Sequence, residues 1–206
     1  MTAAITLNTA RLVLKRLEVK DAQALFSYRS MPLVYRFQSW HPVDIVDAVA
    51  FIDSLADIPD IPGTWYQLGI FLRETQQLIG DTGLHFLSSG EKEVELGCTL
   101  APEFQGFGYA TEALNEVMAY LFTGLKKRLV RFSIDPRNTP SRKLALRLGL
   151  HQVAYMERSV CIGGEWSDDV IYSVDAPAWS PSTNHGFQRL FSSAVKQVPD
   201  GHQRVI

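Results

Sequence analysis

The spacing of apolar residues along this chain changes between the two-residue period of a strand and the 3.6-residue period of a helix. Strand-like runs occupy five stretches of the first 135 residues: 11–17, 65–74, 77–87, 93–100 and 128–135. Short polar links join the second, third and fourth of these runs, which predicts an antiparallel meander. Two further runs flank Gly163-Gly164, and this glycine pair predicts a β-hairpin.

Helical spacing recurs four times between those runs. A first helix begins after Asp21, a second follows Pro42, and a third carries the strongest apolar stripe, from Ala110 to Phe122. Pro140 opens a fourth helix at a position where its missing N–H costs little. The resulting order, β-α-α-β-β-β-α-β-α-β-β, predicts an α/β chain with a mixed sheet rather than a regular doubly wound fold.

The composition shifts near Pro177, which divides the chain into a predicted domain, residues 1–176, and a C-terminal extension, residues 177–206. A frayed tail is one interpretation of the extension. The other is one short amphipathic helix, which is predicted from the spacing of Phe187, Leu190, Phe191 and Val195.

The charges are nearly balanced, with 20 Lys and Arg against 22 Asp and Glu and a net charge of −2. This balance argues against direct nucleic-acid binding, which normally needs a basic surplus. No apolar run approaches the ~20 residues that cross a bilayer, and the first residues lack the layout of a secretory signal. Two cysteines cannot form a disulfide framework, so we expect a cytoplasmic protein with reduced thiols.

The sharpest chemical feature is the segment Gln105-Gly106-Phe107-Gly108-Tyr109-Ala110, between a strand and a helix. Glycines let the backbone approach a ligand, and the first amides of a helix, together with its dipole, favour an anion. The segment therefore predicts a phosphate or pyrophosphate site. A P-loop is excluded because no Lys follows the glycines. A dinucleotide site remains an alternative, with Asp135 as its ribose ligand, although Thr111 replaces the third glycine.

Further segments occur in a fixed order around this loop. They are TARLVLKRL at 9–17, ELG at 95–97, APEF at 101–104, GYATEA at 108–113, N-x-x-S at 138–141, L-G-L at 148–150 and G-x-W-x-D at 164–168. Together with Gln105-x-x-Gly108-x-Ala110, they resemble the GNAT N-acetyltransferases. The resemblance is to their RimJ/RimL-like branch, which includes ribosomal-protein N-terminal acetyltransferases, and it spans about residues 9–175.

The resemblance implies a GNAT-like fold in which two neighbouring parallel strands separate and acetyl-CoA binds between them. It implies transfer of an acetyl group to a primary amine by direct attack in a ternary complex, with a peptide N-terminal α-amine favoured over a small amine. The residues that it implies for cofactor binding are Cys98, Thr99, Leu100, Gln105, Gly106, Phe107, Gly108, Tyr109, Ala110, Asn138 and Ser141.

Amine acetylation needs a neutral nucleophile, so a base must accept a proton. Glu95 alternates with apolar residues on its strand and is the first candidate for this base. Glu103 is the competing candidate. The alternative for Glu95 is a solvated strand carboxylate without a catalytic role. The resemblance implies that Ser141 lies near the thioester sulfur, and Ala145 stands where many relatives carry a tyrosine acid. Asn138 is alternatively a simple helix cap.

Two other functions remain open at this stage: a non-catalytic acyl-CoA-binding or sensor module, and a nucleotide-dependent oxidoreductase. No metal-ligand spacing joins His41 or His85 to Cys98 or Cys161, so no metal is expected. The expected partner is the amine acceptor, a peptide N-terminus or a small amine, without membrane or nucleic acid. The expected oligomeric state is a monomer or a homodimer.

Overall fold

Eight strands form one mixed sheet in the computed structural model, which describes residues 5–88 and 92–180. The strands are β1 Thr6–Asn8, β2 Leu12–Arg16, β3 Thr64–Leu72, β4 Leu78–Phe86, β5 Glu93–Leu100, β6 Leu129–Ile134, β7 His151–Ile162 and β8 Glu165–Asp175. Their order across the sheet is β1-β2-β3-β4-β5-β6-β8-β7. Neighbouring strands are antiparallel except β5 and β6, which run parallel.

The parallel pair β5–β6 stays together only at its beginning. Pairing starts at Glu93 and ends at Glu95, which lies opposite Arg131. Beyond this point β5 remains paired with β4 as far as Leu100, and β6 remains paired with β8. The two strands therefore separate in the middle of the sheet, as the sequence resemblance implies.

Within the described part of the chain, five α-helices cover the two faces of the sheet. They are α1 Ala22–Arg29, α2 Pro32–Tyr35, α3 Ile45–Ser54, α4 Tyr109–Ala119, which continues into a π-helical turn at Tyr120–Gly124, and α5 Thr139–Arg147. Helices α4 and α5 pack on one face over a core that includes Leu114 and Phe132. Helices α1 and α3 pack on the other face over a second core, around Leu25 and Ile52.

The predicted fold class is confirmed, and every predicted element through residue 175 is present. The hairpin prediction is also correct, since Gly163 and Gly164 both have positive φ, 57° and 85°, as a tight hairpin turn requires. The apolar pattern misses β1 and α2 because three and four residues are too few to show a period.

The chain continues to pack against the core after β8. Ala176 donates its amide to the Arg128 carbonyl at 2.9 Å, and the Trp179 ring lies 5.3 Å from that of Phe122. Contacts with the core thus continue past the predicted boundary at residue 176, and the division into a domain and an extension stays a prediction. The helix predicted over Phe187–Val195 lies outside the described residues.

Candidate active site

A cleft of about 860 Å³ opens where β5 and β6 separate. Its walls come from α2 and the segment after it, β5, the loop before α4, the first half of α4, and α5 from its N-cap to its last residue. Among the residues predicted from the sequence, those that line the cleft are Cys98, Thr99, Leu100, Gln105, Gly106, Gly108, Tyr109, Ala110, Asn138 and Ser141. Phe107, Glu95 and Glu103 are not part of its lining.

The side of β5 that faces this cleft has no neighbouring strand after Glu95 within the described sheet. Backbone N–H and C=O groups that lack a ladder partner need another one. At the end of the strand, the Gln105 side chain donates from Nε2 to the Leu100 carbonyl at 2.9 Å. The edge before it has the geometry to bind an extended chain that carries amide groups, in the manner of an added strand.

The loop between β5 and α4 adopts the backbone conformation that its glycines allow. Gly106 has φ +84° and Gly108 has φ +83°, and Gly108 is the residue at the N-cap of α4. These are left-handed conformations that residues with a Cβ rarely adopt. As a result the loop turns sharply and directs the amino end of α4 toward the cleft, where the helix dipole favours an anion.

An ion pair that the sequence analysis did not identify supports this loop. Arg11, just before β2, donates from Nε to Glu112 Oε2 at 2.7 Å, and the Arg11 amide donates to Oε1 at 2.8 Å. Thr9 Oγ1 donates to the same Oε1 at 2.6 Å. The guanidinium also donates to the Phe107 carbonyl at 3.2 Å and lies 4.4 Å from the centre of the Tyr109 ring. Arg11 and Glu112 therefore join the N-terminal strands to the loop and to α4.

Partial burial on its own would raise the pKa of the Glu112 carboxyl. The hydrogen bonds from Thr9 and Arg11, together with the charge of Arg11, outweigh burial and hold this pKa below its ordinary value. Glu112 is therefore ionised at neutral pH. Complementing the helix dipole from the first turn of α4 is therefore only part of the role of Glu112.

Three cationic side chains line the cleft: Arg36, Lys143 and Arg147. Arg147 donates from Nη1 to Thr111 Oγ1 at 3.2 Å, so it spans from α5 to the first turn of α4. Lys143 and Arg147 are four residues apart and share one face of α5. Their four-residue spacing is the sequence feature that could have identified these two cleft residues, although the same spacing is common on ordinary solvated helix faces.

The two polar residues predicted at the start of α5 lie in its first turn. Asn138 occupies the N-cap position, and its Oδ1 accepts a hydrogen bond from the Ser141 backbone amide at 3.2 Å. Asn138 therefore caps the helix, and it also lines the cleft. Because the capped group is the Ser141 amide, the cap does not use the Ser141 hydroxyl, and Ser141 is also a lining residue of the cleft.

Glu95 lies at the fork between β5 and β6 and is nearly inaccessible to solvent. Arg131 donates from Nε to Glu95 Oε2 at 3.1 Å, and its Nη2 is also 3.1 Å from this oxygen. Glu103 has a different setting, since it is exposed in the 3-10 turn Pro102–Phe104. The two candidate bases are thus a buried, ion-paired carboxylate and a solvated one.

Cys98 borders the cleft without the surroundings of a nucleophile. Burial, followed by the negative charge of Asp81, raises the pKa of this thiol to about 12. The thiolate is the nucleophilic form of cysteine, so Cys98 stays protonated and unreactive at neutral pH. Cys98 therefore behaves as an apolar residue of β5.

Residues 5–88 and 92–180 contain neither a metal-ligand cluster nor a membrane-spanning helix. No group of three or more His, Cys, Asp or Glu side chains in this part of the chain could hold a metal ion. In the same residues, no helix has the length and apolar character needed to cross a membrane.

Known proteins are similar to this chain in both sequence and fold. A family model described as acetyltransferase (GNAT) domain matches residues 11–151. The uncharacterized N-acetyltransferase p20 of Bacillus licheniformis is 32% identical over 140 residues, 68% of this chain and 78% of the relative. The ribosomal protein uS5 alanine N-acetyltransferase of Escherichia coli K12 is 25% identical over 183 residues, 86% and 94% of the two chains.

A solved structure supports the same assignment at the level of the fold. The crystal structure of a GNAT-family acetyltransferase from Bacillus anthracis superposes with a TM-score of 0.76 at 23% identity, covering 84% of this chain and 99% of the other. These matches confirm the resemblance seen in the sequence motifs. They favour acetyl transfer over the oxidoreductase alternative.

The Arg11–Glu112 pair predicts a pH-dependent stability. Because the folded-state pKa of Glu112 is lowered, its contribution is present above the unfolded pKa of about 4.3 and is lost as the pH falls through the folded value. Glu112→Gln should therefore lower the melting temperature at pH 7, and its difference from wild type should shrink below about pH 4. Thermal melts followed by circular dichroism measure this.

Glu116→Gln, one turn later on α4, is the matched control and should change the melting temperature little at either pH. If Glu112→Gln lowered the melting temperature equally at pH 7 and below about pH 4, the stabilising role of the ionised Glu112 carboxylate would be contradicted.

Proposed function

The chain belongs to the GNAT family of N-acetyltransferases, and we propose that it transfers the acetyl group of acetyl-CoA to a primary amine by direct attack in a ternary complex. GNAT acetyltransferases use acetyl-CoA as the acyl donor. The observation that carries the proposal is the cleft between β5 and β6, which leads to a glycine loop at the amino end of α4. The favoured acceptor is a peptide N-terminal α-amine.

The shape and charge of the cleft support binding of acetyl-CoA. The β5 edge at Cys98–Leu100 suits the amide groups of the pantetheine arm, and the loop Gln105–Ala110 suits the pyrophosphate. Arg36, Lys143 and Arg147 line the same cleft, and their charges match the several negative charges of coenzyme A. Asn138 borders the path of the arm. Phe107 contributes its carbonyl to the Arg11 contact rather than its ring to the cleft.

Direct attack is supported by the state of Cys98, whose protonated thiol is unsuited to forming an acyl-enzyme. The acceptor amine must therefore lose its own proton before or during attack. Glu95 is the proposed base, because it is the carboxylate at the fork where the cofactor arm would end. Its pairing with Arg131 keeps the carboxylate in one orientation. Glu103 is the competing candidate.

Ser141 is the proposed donor to the departing sulfur. Ser141 lines the cleft, and the cap occupies its backbone amide but not its hydroxyl. A hydrogen-bond donor stabilises negative charge as it develops on a leaving group. Ala145, one turn later, is buried and has no such donor.

The preference for an α-amine rests on chemistry and on one relative. An α-amino group has a pKa of about 7.7–8.0 against about 10.4 for lysine, so it needs less help to become neutral. The E. coli relative is named for acetylating an alanine of a ribosomal protein. The acceptor itself is tested by incubating the protein and acetyl-CoA with peptides that contain lysine, and analysing the products by mass spectrometry.

Acetylation at the N-terminus is the expected result, and the same peptides with a blocked α-amine are the matched control. Modification of lysine side chains alone would refute the α-amine preference. The protein could bind acetyl-CoA and yet produce no free CoA thiol with any peptide, polyamine or other amine. That result would contradict direct transfer and favour the sensor alternative.

Two glycine substitutions separate an effect on acetyl-CoA binding from an effect of backbone strain on stability. Gly108→Val should weaken acetyl-CoA binding strongly, because a β-branched residue resists φ +83° at this lining position of the cleft, and its Cβ would lie 3.6 Å from Arg11 Nη2. Gly149→Val is the matched control: Gly149 has φ +87° after α5 and does not line the cleft. Both variants should lose stability, but only Gly108→Val should lose affinity in calorimetry. If Gly108→Val and Gly149→Val bound acetyl-CoA with equal affinity, the loop would not be part of the cofactor site.

The base makes a second prediction. Glu95→Gln keeps the shape of the side chain but removes the proton acceptor, so kcat should fall by ~10²–10⁴ with acetyl-CoA affinity nearly unchanged. Arg131→Gln is the control that breaks the ion pair and keeps the carboxylate. If Arg131→Gln lowered kcat as much as Glu95→Gln does, the loss would come from the broken ion pair and not from the missing base. A loss in Glu103→Gln with normal Glu95→Gln would transfer the role.

The leaving group makes a third prediction. Ser141→Ala keeps the backbone amide that Asn138 caps, so stability should change little while turnover with acetyl-CoA slows. The defect should shrink with an acyl donor whose thiol is more acidic. Asn138→Ala serves as the stability reference and should lose about 0.5–2 kcal/mol through the missing cap. Unchanged turnover in Ser141→Ala would make this residue structural.

A further inference from the structure

A second cavity, of about 700 Å³, lies on the face of the sheet that packs against α1 and α3. Its walls come from α3, from β3 and from the segment between α2 and α3, and none of the residues proposed to bind acetyl-CoA lines it. Gln38 lines the cofactor cleft, whereas the next two residues, Ser39 and Trp40, line the second cavity. The second cavity therefore adjoins the cofactor cleft.

The apolar part of the cavity wall is mainly aromatic. The rings of Trp40 and Phe51 stack with their centres 4.4 Å apart, and Leu55 and Trp65 also line the cavity. A concave site of several hundred Å³ with aromatic walls suits the burial of an apolar group of a ligand. The volume is far more than the methyl group of an alanine side chain fills.

The charges around the cavity select an uncharged group. Asp47 lines the cavity, so an anionic ligand group would be repelled. Arg29 also lines it, pairs with the buried Asp81, and lies 5.7 Å from the Trp40 ring and 5.8 Å from the Phe51 ring. A cationic ligand group against these rings would lie close to a cation that is already there. An apolar or aromatic group meets neither obstacle.

One buried side chain in the wall has an acceptor atom that the fold does not use. Gln67 on β3 is 1% exposed, and its Nε2 donates to Asp81 Oδ2. A carboxylate that is paired with Arg29 only accepts, so the amide turns its nitrogen to Asp81 and its oxygen away. Among residues 5–88 and 92–180, none donates a hydrogen bond to Gln67 Oε1. A buried acceptor of this kind is stabilised when a bound molecule supplies a donor.

The Gln67 oxygen lies toward the strand that carries the proposed base. A Cβ on Gly83 of β4 would come within 2.8 Å of Gln67 Oε1 and 2.9 Å of Trp65 Cζ3, so both side chains lie against the backbone of this glycine. Gly83 is opposite Gly97 on β5. Gly97 follows Glu95 by two residues, so both occupy the same face of β5. Since neighbouring strands are ~4.8 Å apart, the oxygen lies roughly one strand spacing from β5.

We propose that this cavity binds the amine acceptor, with Gln67 Oε1 accepting a hydrogen bond from the attacking amine and the aromatic wall binding a large apolar or aromatic side group next to it. The favoured substrate is thus the α-amine of a residue such as phenylalanine rather than alanine. This inference rests on the proposed function, because it requires acetyl transfer beside Glu95. It adds the class of acceptor to that proposal.

The proposed hydrogen bond is compatible with each stage of the transfer. The amine nitrogen forms a bond to the acetyl carbon, and the bond from this carbon to the CoA sulfur breaks. Of the three protons on the ammonium group, one passes to the base and one to the departing sulfur. The third stays on nitrogen in the amide product. Gln67 Oε1 can accept from this N–H throughout the reaction.

Two tripeptide amides that differ only in the first side chain test the class of acceptor. With saturating acetyl-CoA, kcat/KM for Phe-Gly-Gly should exceed that for Ala-Gly-Gly by about 10- to 150-fold, the range for burying one large apolar side chain. Ala50 is an exposed residue of α3 that lines the cavity, so Ala50→Trp should fill the site and bring the Phe-Gly-Gly value down to that of Ala-Gly-Gly. Val46→Trp is the matched control and should keep the preference, because Val46 is 67% exposed on the same helix and does not line the cavity.

A second pair of variants tests the hydrogen bond to the amine. Gln67→Met keeps the length of the side chain and removes the amide oxygen, so kcat/KM should fall by about 2- to 13-fold, the range of one net hydrogen bond, and equally for both peptides. Tyr28→Phe is the matched control: Tyr28 also donates to Asp81, at 2.6 Å, but does not line the cavity. It should lower the melting temperature and leave kcat/KM unchanged. An equal fall in both variants would overturn the role of Gln67.

Peptide binding without turnover separates this inference from the proposed function. In calorimetry on the full chain saturated with CoA, Phe-Gly-Gly should bind more tightly than Ala-Gly-Gly to wild type and to Val46→Trp, but not to Ala50→Trp. Tighter binding of Phe-Gly-Gly with no acetylation of either peptide would support the cavity and contradict acetyl transfer.

Four results would overturn the inference while leaving acetyl transfer intact. They are acetylation of both peptides with equal kcat/KM, a preference for Phe-Gly-Gly that survives in Ala50→Trp, a higher kcat/KM for Arg-Gly-Gly than for Phe-Gly-Gly, and acetylation of small amines by a chain that binds neither peptide. The third result would show that the aromatic wall takes a cationic group instead.

Discussion

The separation of two parallel strands is the constraint on which the rest of the site depends. β5 and β6 pair from Glu93 to Glu95 and then diverge, while each keeps its antiparallel partner on the other side. The fork is closed by the buried Glu95–Arg131 ion pair, which joins the last paired residues. Beyond it, one edge of a central strand has no neighbouring strand among residues 5–88 and 92–180, which is an unusual position for backbone polar groups.

Other elements hold the fork open and shape it. On the side of α4, Arg11 and Glu112 connect the first strands to the glycine loop, although these residues lie 101 positions apart in the chain. On the side of α1, the Arg29–Asp81 pair connects that helix to β4 and, through Gln38, to β5. The cleft is thus supported from both faces by charged groups rather than by apolar packing alone.

The features predicted correctly from the sequence are local ones. The meander, the hairpin at Gly163-Gly164 and the helix that starts after Gly108 depend on periodicity and turn chemistry within a few residues. The glycine loop belongs to the same class, because positive φ is a property of single residues. Residues of the loop and of the start of α5 do meet in one cleft, although the pattern itself contains no information on that distance.

Apolar periods, turn residues and ordered motifs by themselves determined the α/β class, the succession of elements through β8 apart from the short β1 and α2, and the family of this chain. Only the tertiary structure decided that Glu95 pairs with Arg131, that Glu103 faces solvent, and that Gln38 donates a hydrogen bond to Thr99. The reason is physical. Local conformation depends on neighbours in the chain, whereas these pairs depend on the register of strands and on helix packing, which bring together side chains that are far apart in sequence.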